Sequence, residues 1–439
     1  MQNTRIILLS ILMGGILVVL NSTQGFSIPA FSRQYKTSCT TCHIAPPARN
    51  AFGEAFRRNG YVMPMSDDEF KKDEPVSLGA DAWKEAFPEA VWPGVLPSSF
   101  PISAYVHQRV VVEFGEGKKG NQIEFDAPHE FELLLGGNFG ESIGFLGEWV
   151  AFEKGQNAKG LKRFFIQFND LVGPQNAFNV KFGRFEPGIT DGYKDANRMT
   201  MEHVKTIDFK ATGQWRPRDQ QSGIELNGIL NKRTNYSVGA VNGQSKTISD
   251  PTDRKDVYFR LGHKIKGMSL DGIDETGLEL KTSDNMIDNT VQVGFYGYFG
   301  SIDDESYTDP IGVTHTYSRR FNRFGFDAMA GVDKLKILTG AIFGTDENVG
   351  QPGTENIDSR AWFVEGNYYI FPWMIGIARF GAAHTEQDGH ELEDYTDFTP
   401  NLTLLARANV RISFEAYFKM EDSVDDKLRW FKFNTMFIF

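Results

Sequence analysis

Cysteine is nearly absent from this chain, since only two of its 439 residues are cysteine. Both lie in the stretch SCTTCHIAPP, where Cys39 and Cys42 are followed at once by His43. A structural zinc site generally needs four ligands, and neither a second cysteine pair nor a His-x-His cluster is present to complete one. The sequence therefore argues against structural zinc and confines thiol chemistry to one short turn.

Long apolar runs are also missing beyond the N-terminus, which argues against a helical membrane protein because a spanning helix needs roughly 20 apolar residues. The N-terminus itself is typical of an export signal. Arg5 supplies a positive charge, Ile6–Leu20 is largely apolar, and NSTQG offers small residues for cleavage after Gly25. We therefore predict a cleaved signal peptide at residues 1–25. The alternative is a signal anchor that stays in place, although the apolar run is short for a span.

An excess of positive charge is absent as well, because the formal net charge is −11. This balance predicts no nucleic-acid partner, since proteins bind nucleic acids through clustered lysine and arginine. An acidic exterior instead suits cationic solutes or metal ions. Internal repeats and low-complexity tracts are missing too, which leaves the motif and the polarity pattern as the informative features.

The arrangement Cys-x-x-Cys-His is the attachment motif of c-type haem. A redox-active dithiol would begin a helix after a strand in a βαβ pattern, and nothing of that kind surrounds this turn. The spacing suits haem, because the two thiols reach its two vinyl groups while the next residue binds the iron. We therefore predict one covalent haem c, attached through Cys39 and Cys42, with His43 as the proximal iron ligand. Export supports this prediction, since c-type haem is attached outside the cytoplasm.

Two kinds of residue are candidates for the second axial ligand of the iron. A methionine opposite histidine raises the potential of a c-type haem, whereas a second histidine generally lowers it. Met63 and Met65, in GYVMPMSDD, follow the motif within the same segment and are the first candidates. His107 is the alternative candidate, and His129 is the next histidine along the chain.

A short helix is predicted between the motif and these methionines, in PPARNAFGEAFRRNGY. Pro46 and Pro47 are suited to the first turn of a helix, and Gly60 is suited to its end. The aromatic face of the helix would pack on the haem or on whatever encloses it. We therefore predict that residues 26–86 form a small helical monohaem cytochrome c segment.

The pattern changes from Pro101 onward to an alternation of apolar and polar residues with period two. In Asn409–Glu421, one face is apolar and the other carries a ladder of charged and polar residues, as expected of a wet lumen. Such stretches run roughly 10–13 residues, longer than the usual strand of about 5–6 and suited to a tilted strand that crosses a membrane. We therefore predict that residues 102–439 form a porin-like, all-β outer-membrane barrel of about 16 antiparallel strands, surrounded by outer-membrane lipid.

The connectors between the strand candidates alternate between tight and long, as is usual in outer-membrane barrels. The connector at 266–289 is the exception, because it is long where a tight turn is expected; either the count is wrong there by two strands or an extra segment is inserted. The proline-rich stretch 87–101 is predicted to be an extended linker, with a tight clamp at the barrel mouth as the alternative. The strand candidates lie near 102–114, 128–138, 142–154, 161–171, 178–187, 222–230, 234–244, 255–265, 290–300, 319–332, 335–346, 359–370, 373–386, 395–407, 409–421 and 426–439.

The order of these parts resembles the fused cytochrome–porins of iron-oxidising bacteria. The resemblance rests on the signal peptide, the single CTTCH, PAFSRQY before it, NAFGEAFRRNGY after it, and a barrel that ends in Phe439. Its sequence-specific part covers roughly Ile28–Tyr61, and the remainder is similar in architecture. The family implies one haem in or below the barrel, with Cys39 and Cys42 as the thioether residues and His43 as the proximal ligand.

The same resemblance implies electron transfer from extracellular Fe(II) to a periplasmic c-type cytochrome. Counted as an enzyme, such a protein is an iron(II):cytochrome c oxidoreductase. The stretch SIDDESYTD is predicted to be an external loop, where Asp303, Asp304 and Glu305 either concentrate Fe²⁺ or simply keep the surface solvated. Two other functions stay open: a haem-bearing porin that transports small solutes, and electron export to an extracellular acceptor.

Overall fold

The structure is a computed structural model, and residue placement is described for most of the chain after the N-terminus. The predicted signal peptide (1–25) and most of the predicted linker (87–101) lie outside the described residues. Within the described part, no helix is long and apolar enough to span a bilayer. The described residues are 29–65, 67–72, 76–77, 85–86, 95–96, 101–114, 121–154, 156–194, 197–208, 210–212, 215–243, 254–274, 277–278, 287–420 and 428–439.

Sixteen antiparallel strands close into a barrel. Each strand pairs with the next along the chain, and the last pairs with the first. The predicted strand count is confirmed, and every predicted position overlaps a strand of the structure. The strands are β1 (Ile102–Glu113), β2 (Gln122–Phe139), β3 (Ile143–Glu153), β4 (Gln156–Phe168), β5 (Asn179–Phe185), β6 (Gln221–Leu230), β7 (Thr234–Val241), β8 (Asp256–Lys266), β9 (Val291–Thr308), β10 (Thr314–Val332), β11 (Leu335–Asp346), β12 (Ile357–Phe371), β13 (Met374–Gln387), β14 (His390–Arg407), β15 (Val410–Met420) and β16 (Leu428–Ile438).

Alternating side chains give the wall its two faces. On β12, Trp362 and Val364 are 43% and 42% exposed, whereas Phe363 and Glu365 between and beside them are buried. Because a lipid core offers no hydrogen-bond partners, only a closed sheet satisfies every backbone group of such strands. The outward residues therefore form an apolar band for lipid, and the inward residues line a largely polar lumen.

The two ends of the barrel differ in their connections. Tight turns join β10 to β11, β12 to β13 and β14 to β15 at one end, which faces the periplasm in barrels of this kind. At the other end the connections range from the two-residue turn between β13 and β14 to the long connection between β5 and β6. The connection from β8 to β9 at the same end is long, and it contains a short antiparallel pair, Ile273–Asp274 with Gly277–Leu278. The exception noted in the sequence is therefore an inserted segment, and the strand count stands.

The acidic stretch that was predicted as an external loop is strand instead. Ser301–Thr308 belongs to β9 and pairs with β10. Asp303 lies 3.5 Å from Arg254, and Glu305 lies 3.2 Å from Arg319, so both carboxylates have cationic partners. The loop prediction is wrong, because a strand that extends beyond the lipid needs no apolar face and loses the alternation that marks its neighbours.

Four short helices are described besides the strands. They contribute little to the wall, and three of them belong to the segment that precedes it. They are α1 (Ala30–Tyr35), α2 (Ala51–Arg58), α3 (Asp67–Phe70) and α4 (Lys205–Asp208).

The helix predicted after the motif is present as α2, but it begins at Ala51 rather than at Pro46. Asn50 caps it, because its side-chain oxygen accepts a hydrogen bond of 2.8 Å from the backbone N–H of Gly53. The two prolines instead form the turn of a short strand pair within 43–49. The predicted start is therefore wrong, since the cap and not the prolines sets the first helical residue.

The N-terminal segment (29–72) lies inside the lumen near the periplasmic end. The inward-facing Gln167 of β4 donates a hydrogen bond of 3.0 Å to the carbonyl of Arg58 at the end of α2. From the inserted segment after β8, the carbonyl of Asp271 accepts a hydrogen bond of 3.2 Å from the Asn59 side chain. The wall and the insert therefore hold the segment from two sides.

The long connection between β5 and β6 (186–220) also folds into the lumen. Arg379, an inward residue of β13, donates a hydrogen bond of 2.6 Å to the Thr200 hydroxyl. Glu415 of β15 accepts a hydrogen bond of 2.7 Å from the backbone N–H of Met201. Within the described part of the chain, two pieces therefore occupy the lumen, one entering from each end of the barrel.

Candidate cofactor-binding site

The Cys-x-x-Cys-His motif folds as a single 3₁₀ turn, Cys39–Thr41, with a short strand following it. The Asn50 side chain holds this turn by donating to the carbonyls of Thr40 and Thr41, at 3.1 and 3.0 Å. Because the same side chain caps α2, the motif and the helix behave as one unit. Local hydrogen bonds thus fix how the two thiols are presented.

Glycine permits two close approaches in this region. At Gly53, in the first turn of α2, a Cβ atom would overlap the carbonyl oxygen of Cys42. Gly60, after α2, has a φ of +68°, which glycine adopts without strain. Its carbonyl lies against Gly144 of β3, where a Cβ atom would overlap it. The helix therefore fits tightly between the motif and the barrel wall.

A cavity opens beside the motif inside the lumen, with an empty volume of about 1660 Å³ that includes space open to solvent. Its walls are largely apolar and include several aromatic side chains, as is usual for sites that bind small molecules and cofactors. Cys39, Cys42 and His43 all line the cavity, and both thiols are free. The three residues predicted to attach and ligate haem therefore face one space.

Aromatic rings form much of the cavity wall. Phe31 packs edge-on against Phe56, with ring centroids 5.1 Å apart, and stacks on Tyr61 at 5.8 Å. Tyr61 in turn packs against Phe165 of β4 at 6.3 Å. All four side chains line the cavity. An aromatic lining of this kind favours a flat, largely apolar ligand.

Burial controls the protonation of the motif. It lowers the pKa of His43 to about 4, and the nearby Arg49 guanidinium adds to the effect. The Nδ1 atom of His43 is buried and has no hydrogen-bond partner within the described part of the chain. A neutral imidazole is the form that binds metal ions. Burial likewise raises the pKa of the Cys42 thiol to about 12.

The candidates for the second axial ligand lie in different places. Met63 is buried and lines the cavity. Met65 is 52% exposed and is not part of the lining. His107 is buried on β1, where its Nε2 lies 3.0 Å from the side-chain oxygen of Asn434, and neither it nor His129 lines the cavity. Among these candidates, the fold brings Met63 to the motif and keeps the others away.

A buried network of ion pairs ties α2 to the long connection. Glu54 accepts hydrogen bonds from Arg49 at 2.6 Å and from Arg57 at 2.9 Å. Asp191, on the connection, pairs with Arg57 at 3.2 Å and with Arg58 at 2.7 Å. The network therefore joins the N-terminal segment to the piece of chain that enters from the extracellular end.

Both carboxylates of this network are ionised at neutral pH. Burial alone raises the pKa of a carboxyl group, yet Arg49 and Arg57 hold the pKa of Glu54 well below its usual range. Arg58 and Arg57 do the same for Asp191, against the same effect of burial. The arginines therefore outweigh desolvation, and the charged pairs persist inside the lumen.

Sequence reasoning missed the site residues of the long connection. Asp191 and Lys194 belong to no motif, and the ion-pair partners of Asp191 stand 133 and 134 positions away in the chain. Lys194 lines the cavity together with the motif. The signal available in the sequence was the unusual length of the connector, which marks a segment with its own structural role.

A second group of potential metal ligands lies on the β13–β14 hairpin. His384, Glu391 and Asp394 each place one ligand atom within 4.8 Å of the others. His384 has the same strand parity as Phe380, which is 49% exposed, so it lies on the outward face of the barrel. The barrel wall therefore separates this group from the cavity.

Comparisons with known proteins bear on the barrel. No protein-family model matches the chain, and no curated protein matches it. The outer membrane channel DcaP of Acinetobacter baumannii matches with 11% identity and a TM-score of 0.53, over 77% of this chain and 96% of that chain. An anion-selective porin from Comamonas acidovorans matches with 10% identity and a TM-score of 0.52, over 77% of this chain and 98% of that chain. OmpF of Salmonella typhi, in complex with daunomycin, matches with 8% identity and a TM-score of 0.52, over 77% and 97%.

The chain has the fold of the outer-membrane porins. Sequence identities of 8% to 11% carry the fold and nothing about ligands or activity. The predicted transmembrane barrel is thereby confirmed. The predicted resemblance to fused cytochrome–porins and the predicted haem stay predictions, and they enter the proposal below.

Proposed function

We propose that this chain is an outer-membrane electron-transfer protein that carries one c-type haem inside a barrel of porin fold. The observation that best supports the proposal is the convergence of Cys39, Cys42, His43 and Met63 on one cavity in the lumen. Two thiols for thioether bonds and two potential axial ligands face the same largely apolar space.

The residues of the cavity fit haem c. Cys39 and Cys42 would hold it through thioether bonds, His43 would be the proximal ligand, and Met63 the distal one. When bound, the haem supplies reversible one-electron oxidation and reduction. The protein's own contribution is to keep the His43 imidazole neutral through burial and to surround the cofactor with aromatic side chains.

The position of the cavity supports transfer toward the periplasm. Ser103, at the start of β1, and Ile438, at the end of β16, both line it. These strand ends lie at the end of the barrel with tight turns, which is the periplasmic end in barrels of this kind. A periplasmic c-type cytochrome is therefore the proposed electron acceptor.

Extracellular Fe(II) is the proposed electron donor. Support comes from the resemblance of Ile28–Tyr61 to the cytochrome–porins of iron-oxidising bacteria, and from a net charge of −11 that favours cations. Each Fe²⁺ gives up one electron and becomes Fe³⁺, which is insoluble at neutral pH, so only the electron should cross the membrane. On this account the protein acts as an iron(II):cytochrome c oxidoreductase.

The test is anaerobic mixing of the purified, oxidised protein with Fe(II), followed at the haem α band. We expect Fe(II) to reduce the haem as fully as dithionite does. If dithionite reduces the haem and Fe(II) does not, iron oxidation is ruled out. Electron export to an extracellular acceptor then becomes the better account of the same site.

Transport of small solutes by a haem-bearing porin is the second candidate, and the porin fold favours it. Two basic residues of the lumen wall that could attract anions are paired with carboxylates, however. Lys181 pairs with Glu225 at 2.5 Å, and Arg109 pairs with Asp126 at 2.9 Å. Because two pieces of chain also occupy the lumen, we expect no large steady current from the purified protein in planar bilayers. Such a current would favour the solute channel.

A further inference from the structure

Lys194 is an unusual residue of the cavity wall. It lies on the long connection (186–220) that enters the lumen from the extracellular end, and only 9% of it is exposed. Its ammonium group donates one long hydrogen bond, 3.5 Å, to the carbonyl of Pro187. Among the described residues, no carboxylate lies within ion-pair distance of Lys194, although Glu186 also lines the cavity.

The other lysine of the lining differs in this respect. Lys181 of β5 pairs with Glu225 at 2.5 Å and lies over the ring of Phe165 at 5.5 Å. Its charge is therefore balanced within the protein. Within the described residues, Lys194 makes no ion pair at contact distance; Glu186 and Glu225 act on it only from farther away. A buried cation without a contacting counter-ion is unfavourable. Burial lowers the pKa of Lys194 to about 8, although the carboxylates of Glu186 and Glu225 act in the opposite direction.

A buried ammonium group that lines a cavity and makes no contacting ion pair points to an anionic group on the ligand. Haem carries two propionate carboxylates, and its thioether bonds to Cys39 and Cys42 would fix how the ring lies in the cavity. We propose that Lys194 binds a propionate carboxylate of the haem held by Cys39, Cys42 and His43. This inference rests on the proposed function, because it requires the haem to be present.

The consequence is that the connection from the extracellular end helps to bind the cofactor and to set its redox potential. An ammonium group beside a propionate favours the reduced haem, because reduction lowers the positive charge at the iron. Lys194 is thus a positioning residue that acts through the propionate. Its loss should lower the midpoint potential while the thioether bonds stay intact.

The experiment compares Lys194→Met with Lys194→Arg, which keeps the charge. Lys336→Met is the matched control, because Lys336 faces the lumen on β11 and is not part of the cavity lining. The measurements are the midpoint potential by spectroelectrochemistry and the propionate bending band by resonance Raman spectroscopy. We expect Lys194→Met to lower the midpoint potential and shift the propionate band. In Lys194→Arg and Lys336→Met, both the potential and the band should remain close to those of the unchanged protein.

Haem retained with an unchanged potential and an unchanged band in Lys194→Met would overturn the inference and leave the proposed function standing. Absence of covalent haem from the unchanged protein would overturn both. If Lys194→Met gives no folded barrel, Lys194→Gln supplies the same two measurements with a polar side chain. Equal shifts in Lys336→Met would also count against a specific contact.

Discussion

The barrel wall and the N-terminal segment are built on different principles. In the wall, each strand needs only an alternation of side chains and a neighbour to pair with, so many residues suit each position. In the segment, single residues decide the structure. Asn50 holds the motif and caps α2, and Gly53 admits the Cys42 carbonyl against the helix. The wall thus encloses the lumen, and the N-terminal segment supplies the residues proposed to bind haem.

The largest expected contrast between the two regions comes from two glycines. Gly53→Ala would push a Cβ atom into the Cys42 carbonyl, so we expect the motif to be displaced and the haem content to fall several-fold. Gly366→Ala, on β12, has open space around the added atom and should leave the haem content unchanged. Haem absorbance per folded barrel measures both. Equal haem content in the two variants would show that the close contact between Gly53 and the Cys42 carbonyl is not needed for haem attachment.

The next effect concerns the buried ion network between the segment and the long connection. Asp191→Asn leaves Arg57 and Arg58 without one of their carboxylate partners, and removing one partner of a buried pair typically costs about 3–5 kcal/mol. We expect faster protease cleavage within 29–72 while the barrel stays folded. Asp388→Asn, at an exposed turn, is the matched control. Unchanged cleavage in Asp191→Asn would show that the network does not hold the segment.

Acid should act on the same network. The pKa values of Glu54 and Asp191 are held low by arginines in the folded protein, so their stabilising effect is present above the usual carboxylate pKa of about 4. It is lost as the pH falls further, through the folded pKa values. We expect the segment to become accessible to an acid-stable protease below about pH 4, before the barrel itself unfolds. In Asp191→Asn the protease accessibility of the segment should depend less on pH. If accessibility changes with pH in the same way in both proteins, Asp191 does not contribute to the acid response.

A smaller and more local contrast separates the two methionines. Met63 lines the cavity and Met65 is exposed, so Met63→Ala should remove a methionine–iron charge-transfer band and Met65→Ala should preserve it. Spectra of the oxidised proteins in the near-infrared region provide the measurement. Retention of the band in both variants would reject both methionines. Its absence from the unchanged protein would reject methionine ligation altogether.

The smallest effect is expected at the external end of β9. Asp303 and Glu305 each lie beside an arginine, so they are not free to bind Fe²⁺. Changing Asp303 to Asn and Glu305 to Gln should alter the rate of haem reduction by Fe(II) at low salt by less than about twofold, as expected when exposed charges act only through a screened field. A much slower reduction of the haem by Fe(II) would indicate that Asp303 and Glu305 take part in binding Fe²⁺.

Much of the wall could be predicted from the sequence, because alternation with period two follows directly from one apolar and one polar face. All sixteen strands were found in this way. The alternation is lost at Ser301–Thr308, which pairs beyond the lipid and needs no apolar face, so the loop prediction there is wrong. It also misplaced the start of α2, because Pro46 looked like a helix start while the Asn50 cap sets the first residue.

The candidate site was only half predictable. Cys39, Cys42 and His43 form a contiguous motif whose spacing carries its chemistry, so the sequence identifies them without a fold. Asp191 and Lys194 reach the site because a long connection folds inward, and no local pattern encodes contacts with residues so far away in the chain. Contacts between residues so distant in the sequence can be identified only from the structure.

The cavity is proposed to hold a haem attached through Cys39 and Cys42. The most direct measurement is the haem content of the purified barrel after extraction with acidified acetone, which removes haem that is not covalently bound. We expect one haem per chain to remain, and none in a Cys39→Ala/Cys42→Ala variant that still forms the barrel. A folded, unmodified barrel without covalent haem would contradict the account, and so would haem that stays attached in the double variant.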